Sequence, residues 1–221
     1  WSRSETGFDQ IECGAMDEPC TALALNATHI FSAHGDKVAA YDLQGETSTT
    51  AQETRQILEL AAFADRPACA ARLQDGSACV FEVEDGALEE TLLVAVADAV
   101  SITTWRDAAV ALDKNGMVTF HRGAADPCYE PVSVGAGTSI ACGPTDLCVS
   151  YADAVRIWAM AVDDSLGKVL LTPKASLQLD AAPARVEAAA SATLGLVSTK
   201  QGALWYFHAD AAHDDEFGDE A

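Results

Sequence analysis

The feature that most constrains this chain is a hairpin unit that recurs about every 40 residues. In each copy, an alternating apolar and polar run passes through a short turn into a second such run that ends near an aromatic residue. These aromatic residues are separated by 40, 39, 38 and 49 positions; they are Tyr41, Phe81, Phe120, Trp158 and Phe207. Period-two alternation is typical of β-strands, and one hairpin per 40 residues is typical of a β-propeller. The longer last interval leaves room for an extra connection between Asp163 and Pro183.

The turns of these units carry the residues that tight hairpins require. They fall at Gly35-Asp36, Asp75-Gly76, Asn115-Gly116 and Gln201-Gly202, and the fourth unit turns at Ala152-Asp153 without a glycine. Asn-Gly and Asp-Gly are favoured there because the central residues need positive φ. The turns therefore support one antiparallel hairpin per unit.

Further strand-like runs surround each hairpin. An apolar run precedes it, in "TALALN", "ELAAFAD", "VSITTWRD", "SIACGPTD" and "VEAAASA", and others follow as "EETLLVAV", "YEPVSV" and "KVLLTP". This gives about four strands per unit, as a propeller blade requires. Helical periodicity is scarce, and even the best helix candidate, Ala51 to Leu60, could run into a strand. The sequence predicts an all-β propeller over residues 1–210, with blades near 11–50, 51–90, 91–130, 131–180 and 181–210, followed by an acidic tail over residues 211–221.

The units resemble the blades of the WD-repeat (WD40-like) family. "CVSYADAVRIWAM" is similar to that family's inner hairpin ending in the tryptophan dipeptide, and Asp42 and Glu82 stand where its acidic residue follows the aromatic. Gly14-Ala15 replaces the usual Gly-His pair, and the acidic position is occupied by His121, Ala159 and His208 in the other units. The resemblance therefore implies a divergent member in which the usual buried hydrogen-bond network is altered.

Two other propeller types and three ring geometries stay open. Regulator-of-chromosome-condensation propellers have longer, glycine-richer repeats, and "GDKVAAYDLQGE" is similar to a quinoprotein propeller. WD-repeat propellers usually close with seven blades, so five units fit a five-bladed ring, an open ring completed by a partner, or part of a seven-bladed propeller. The start at Trp1 rather than methionine favours the last of these.

The charge balance limits the partners. The formal net charge is −21, and an anionic surface repels nucleic-acid phosphates and anionic lipids. No apolar run approaches the roughly 20 residues that span a bilayer. We therefore expect protein partners with basic surfaces, no direct nucleic-acid binding and no membrane insertion.

The seven cysteines show no zinc-binding pattern, because no pair has CxxC spacing and no histidine cluster stands beside them. They lie mostly in apolar runs, which predicts buried free thiols in a reducing intracellular compartment, cytoplasmic or nuclear. Hydrophobic residues make up 49% of the chain and are mostly Ala, Val and Leu, so a core of small side chains is expected.

Other site-like patterns have simpler interpretations. His29 and His34 are five apart on a strand and point to opposite faces, and the glycine-rich Gly135 to Ser139 lacks the lysine of a phosphate loop. The histidines and carboxylates from His208 onward fit a solvated tail, while Trp105 and Trp158 fit core positions. The sequence thus predicts no catalytic, cofactor-binding or metal-ligating residue and no cofactor.

These observations favour a non-catalytic protein-interaction scaffold, a WD-repeat-like subunit of a multiprotein complex. A propeller enzyme or small-ligand binder using the channel mouth is the alternative. Its mark would be polar residues converging from several blades, and the Ala, Leu, Ile and Ser of the innermost strands argue against it. A third hypothesis is an obligate structural subunit whose ring is completed by a neighbour.

Overall fold

The structure is a computed structural model that describes residues 2–4, 7–9, 19–44, 47–53, 55–123, 126–163, 165–179, 181–188 and 194–208. Within these ranges all regular structure is β-strand, and no helix could cross a membrane. The first two strands, β1 (Ser2–Ser4) and β2 (Gly7–Asp9), form a separate hairpin. The other strands form five consecutive antiparallel sheets, which we call blades 1 to 5.

Each blade is a meander whose strands pair in chain order. Blade 1 comprises β3 (Ala22–Leu25), β4 (His29–His34), β5 (Lys37–Asp42) and β6 (Thr47–Gln52). Blade 2 comprises β7 (Ile57–Ala62), β8 (Ala68–Leu73), β9 (Ala78–Glu84) and β10 (Ala87–Val94). Blade 3 comprises β11 (Ala99–Trp105), β12 (Ala108–Asp113), β13 (Met117–His121) and β14 (Val132–Ser133).

The two remaining blades differ in strand number. Blade 4 comprises β15 (Ser139–Cys142), β16 (Asp146–Ser150), β17 (Ala154–Asp163) and β18 (Lys168–Gln178). Blade 5 comprises β19 (Pro183–Ala188), β20 (Leu194–Thr199) and β21 (Leu204–His208). Four strands per blade is thus confirmed for blades 1 to 4, and the described part of blade 5 has three.

The blades stack face to face in chain order. The innermost strands β3, β7, β11, β15 and β19 pack successively on one another, as predicted for sheets arranged around one axis. Four apolar cores lie between consecutive blades, and alanines occupy many of their buried positions. In β12, at the centre of the stack, Ala108 to Leu112 are all buried, because neighbouring blades cover both faces of that sheet.

The helix candidate between Ala51 and Leu60 runs into a strand, which was the alternative interpretation of this segment. The segment contains the end of β6 and the start of β7. A β-bulge at Leu58 interrupts the pairing of β7 with β8 and brings Ile57 and Leu60 into the same core between blades 1 and 2. The three-residue spacing that resembles a helix is therefore a bulged strand.

The predicted turn glycines have the required conformation. Gly35, Gly76, Gly116 and Gly202 all have positive φ, from 62° to 86°. Gly116 also has no room for a side chain, because a Cβ there would lie 2.1 Å from the carbonyl carbon and oxygen of Gly135. This turn therefore lies directly against the connection between blades 3 and 4.

Candidate functional site

One polar position recurs on the innermost strand of every blade. It immediately precedes the buried residues Ala22, Leu60, Ile102, Ile140 and Val186, which pair with equivalent residues of each second strand. The residues at the polar position are Thr21, Glu59, Ser101, Ser139 and Arg185. We call this set the interblade belt.

The belt joins each blade to the next by side-chain hydrogen bonds. The amide N–H of Ile102 donates to Glu59 Oε2 at 3.1 Å, that of Ile140 to Ser101 Oγ at 3.2 Å, and that of Val186 to Ser139 Oγ at 3.2 Å. The Thr21 hydroxyl donates to the Ile57 carbonyl at 3.4 Å. The innermost strands, which have no pairing partner on the axis side, thereby satisfy some of their buried amides.

Bulges place three of the belt residues. The pairing register shifts at Leu58, Val100 and Ala184, directly before Glu59, Ser101 and Arg185. A bulge adds one residue and turns the following side chain toward a new direction. The belt residues therefore do not follow the in-and-out alternation of a regular strand, and the sequence pattern does not reveal them.

Glu59 is the centre of the belt. Its carboxylate accepts hydrogen bonds from the Ser101 hydroxyl at 3.0 Å and from Arg72 Nε at 3.1 Å, in addition to Ile102. Arg185 Nη2, from blade 5, lies 3.9 Å from Glu59 Oε1 of blade 2, so the cluster bridges non-adjacent blades. Through these contacts the Glu59 carboxylate links blades 2, 3 and 5.

This convergence differs from the expectation that the innermost strands bring no charged residues together. Glu59, Arg72 and Arg185 are far apart in sequence, and Arg72 comes from a second strand rather than an innermost one. The signal for the belt in the sequence is weak: one polar residue in each blade directly precedes a buried residue of the innermost strand. Its significance depends on the blade superposition that the structure provides.

A second feature is the pair of sheet faces at the two ends of the stack. In β3, Ala22 and Ala24 face blade 2, so Leu23 and Leu25 lie on the opposite face, where they are 55% and 67% exposed. In blade 5, Val186 and Val197 face blade 4, whereas Leu196 lies on the other face and pairs with Tyr206. Tyr206 is 79% exposed, and Leu204 beside it is 69% exposed.

Among the strands that the structure describes, no other blade covers these two surfaces, which we call the end faces. Within the described ranges, no strand of blade 5 packs extensively on blade 1, and no further sheet lies against either end. Among the described strands, β21 is the last of its sheet and pairs on one side only, with β20. The end faces thus present exposed apolar side chains at the two ends of the described stack.

The structure places most of the site-like sequence patterns on strands and connections of the blades. His29 and His34 lie at opposite ends of β4, where His29 stacks on Phe31 and His34 is buried and contacts the Ser32 hydroxyl. Gly135 lies in the connection between β14 and β15. Trp105 is buried and donates its indole N–H to the Pro144 carbonyl at 3.0 Å. The predicted acidic tail and the Gly14-Ala15 loop lie outside the described residues.

The thiols divide into two groups. Cys69, Cys79, Cys142 and Cys148 are buried as predicted, but Cys20 and Cys128 are exposed, and Cys13 lies outside the described residues. Burial raises the pKa of Cys69 and Cys142, and raises the pKa of Cys148 to about 12. These buried thiols remain protonated at neutral pH and are poor nucleophiles.

One group of potential metal ligands was not anticipated from the sequence. Ligand atoms of Glu53, Cys79 and Glu90 lie within 4.8 Å of one another in the cleft between blades 1 and 2. Burial and then the neighbouring Glu53 raise the pKa of Glu90. No CxxC or paired histidine marks this group, because its members come from three separate segments.

Comparisons with known proteins identify the fold. No family model and no curated protein sequence matches the chain. Solved structures do match: the β-propeller domain of Cps50 (Swd1) from Myceliophteria thermophila has a TM-score of 0.67 at 16% identity, covering 85% of this chain and 68% of that one. A chain of the mitotic checkpoint complex has a TM-score of 0.65 at 10% identity, covering 92% and 67%.

These similarities establish the class of protein by its fold. The chain has a β-propeller fold, built of five successive antiparallel blades in the described residues. About a third of the length of each similar chain lies outside the part that matches this chain.

Proposed function

We propose that this chain is a non-catalytic protein-interaction scaffold and a subunit of a larger assembly. The observation that carries the proposal is the pair of apolar end faces. Burying a leucine or similar side chain contributes roughly 1.5–3 kcal/mol. A partner that covers Leu204 and Tyr206, or Leu23 and Leu25, gains this contribution for each side chain.

The described part of the molecule also supports a docking role over catalysis. Its central carboxylate, Glu59, is held by hydrogen-bond donors, and its buried thiols have raised pKa values. One of the similar solved chains is named for a multiprotein complex. A rigid stack that presents exposed faces and loops suits the assembly of other proteins.

The charge defines the chemistry of the partner. With a net charge of −21, the chain attracts proteins with basic surfaces and repels other acidic ones. Partner association therefore weakens as salt is raised, to the extent that exposed charges contribute.

The experiment compares purified assemblies of the tagged protein and two end-face variants, Leu23→Asp with Leu25→Asp, and Leu204→Asp with Tyr206→Asp. The matched control is Leu93→Asp, an exposed leucine on the outer strand β10 of blade 2. We expect a stoichiometric partner set that is retained by the control and lost from at least one end-face variant. Identical recovery from all proteins, or no partner with the parent, contradicts the scaffold.

A second candidate function is small-ligand binding at the axis, which the convergence of Glu59, Arg72 and Arg185 favours. The two guanidinium groups are partly exposed, so an anionic ligand could reach them. A thermal-shift screen of anionic metabolites tests this function. A concentration-dependent rise in melting temperature that Arg185→Gln abolishes would favour it over docking alone.

A further inference from the structure

We propose that Glu53, Cys79 and Glu90 form a divalent metal site, of the kind that takes zinc, between blades 1 and 2. The three side chains supply two carboxylates and one sulfur, with ligand atoms within 4.8 Å of one another. Zinc binds cysteine sulfur at about 2.3 Å and carboxylate oxygen at about 2.0–2.2 Å. Side-chain adjustments of about an ångström would bring all three donors to one ion.

The topology explains how these residues meet. Glu53 directly follows β6, and its amide N–H donates to the Asp36 carbonyl, which holds it at the blade 1 side of the cleft. Cys79 and Glu90 lie on neighbouring strands of blade 2. A bulge in the pairing of β9 with β10 follows Glu90, next to the level of Cys79.

The Cys79 thiol is an independent sign of a ligand. Cys79 is fully buried, and within the described part of the chain its sulfur has no hydrogen-bond partner. It nevertheless points toward two carboxyl groups rather than only into the apolar core. A packing role alone does not require this orientation.

The surrounding charges suit a divalent cation. Arg55 contacts both oxygens of Glu53, with Nε–Oε1 at 3.1 Å and Nη2–Oε2 at 3.0 Å, and is itself held by Asp75 and Ser77. Three carboxylates (Glu53, Glu90 and Asp75) and one thiolate, less the Arg55 guanidinium, leave three negative charges, of which a divalent ion neutralises two. On binding, the Cys79 thiol and the hydrogen-bonded Glu53–Glu90 pair each release a proton to solvent, and the sulfur–metal bond forms.

The group also offers a route for an ion to enter and a coordination position that no protein side chain fills. Glu90 is exposed, whereas Glu53 and Cys79 are buried, so an ion enters from the Glu90 side. Three protein ligands leave a fourth tetrahedral position for water. The bound ion would join the end of blade 1 to the two outer strands of blade 2, which makes it a clamp between blades.

The first experiment uses Cd²⁺ as a probe, because cadmium–thiolate bonds give an ultraviolet charge-transfer band. A background with Ser at Cys20 and Cys128 removes the two exposed thiols, and Cys13→Ser removes the cysteine outside the described residues. We expect one equivalent of Cd²⁺ to produce the band in this background and Cys79→Ser to abolish it. The control Cys69→Ser, another fully buried cysteine of the same core, retains it.

The second experiment measures Zn²⁺ affinity by competition with a chelating dye. Because Glu90 is exposed, Glu90→Gln leaves folding intact, and we expect it to weaken affinity by more than about tenfold, the least that loss of an outer-shell partner costs. The neighbouring Glu89→Gln is the matched control and keeps the parent affinity. Zn²⁺ should also raise the melting temperature of the parent and not of Glu90→Gln.

Three results would overturn the site. These are Cd²⁺ binding without a charge-transfer band, which indicates adventitious carboxylate binding; a band that survives Cys79→Ser; and equal Zn²⁺ affinity in the Glu90 and Glu89 variants. Each is independent of the end faces, so the scaffold function and the metal site are tested separately.

Discussion

Replacing Glu59 by alanine tests whether the interblade belt holds the blades together. The substitution removes the acceptor of the Ile102 amide, the Ser101 hydroxyl and the Arg72 guanidinium at once. These three donors come from blades 2 and 3. Blade 5 is affected as well, through Arg185.

The expected loss of stability in Glu59→Ala follows from how deeply each hydrogen-bond donor is buried. The Ile102 amide is fully buried and has no water to replace its acceptor, so its loss costs about 1–3 kcal/mol. Arg72 is partly exposed and regains hydration, which limits its cost to about 0.5–1 kcal/mol. The Ser101 hydroxyl adds about 0.5–1 kcal/mol. The total of roughly 2–5 kcal/mol is a large part of the 5–15 kcal/mol typical of a folded domain.

Urea unfolding followed by tryptophan fluorescence measures this loss. The matched control is Glu89→Ala on the exposed face of β10, which we expect to stay within about 0.5 kcal/mol of the parent. For a chain of this size, the belt variant should also melt roughly 5–15 °C lower. If Glu59→Ala unfolds within 1 kcal/mol of Glu89→Ala, the belt does not support the stack and the reasoning is refuted.

Three further predictions concern turns, ion pairs and thiols. In thermal unfolding, Gly116→Ala should destabilise the fold by at least about 1–2 kcal/mol more than Gly202→Ala. Both glycines have positive φ, but only a Cβ at Gly116 would collide with the backbone of Gly135. Equal losses of stability in the two variants would exclude this collision. Lys174→Ala removes the ion-pair partner of the buried Asp146 carboxylate, and we expect it to lower the free energy of unfolding in urea by about 1–3 kcal/mol. Lys168→Ala breaks an exposed ion pair and should lower it by less than about 0.5 kcal/mol. A larger loss for Lys168→Ala than for Lys174→Ala would contradict this. In a Cys13→Ser background at pH 8, a thiol reagent should modify the exposed Cys20 and Cys128 quickly and the four buried cysteines only after denaturation. Rapid modification of a third cysteine would show that a buried thiol is accessible.

Local patterns in the sequence predict most of the blade architecture. The alternation in "HIFSAHGDKVAAYDL" and its Gly35 turn correspond to β4 and β5, and the spacing of the terminal aromatics gives the repeat. These features are local because strand alternation and turn geometry depend on neighbouring residues. The same local reasoning failed at Ile57 and Leu60, where a bulge imitates helical spacing.

The chain by itself therefore determined a stack of antiparallel hairpins with small apolar cores, acidic charge and no recognisable catalytic motif. Only the tertiary structure decided which polar residues meet. Glu59 and Arg185, and likewise Glu53 and Cys79, belong to different blades, and their contact depends on bulges and on how neighbouring sheets superimpose. The end faces too were decided in three dimensions. A leucine on a strand is buried or exposed according to whether another sheet lies against it, and no local pattern contains that information.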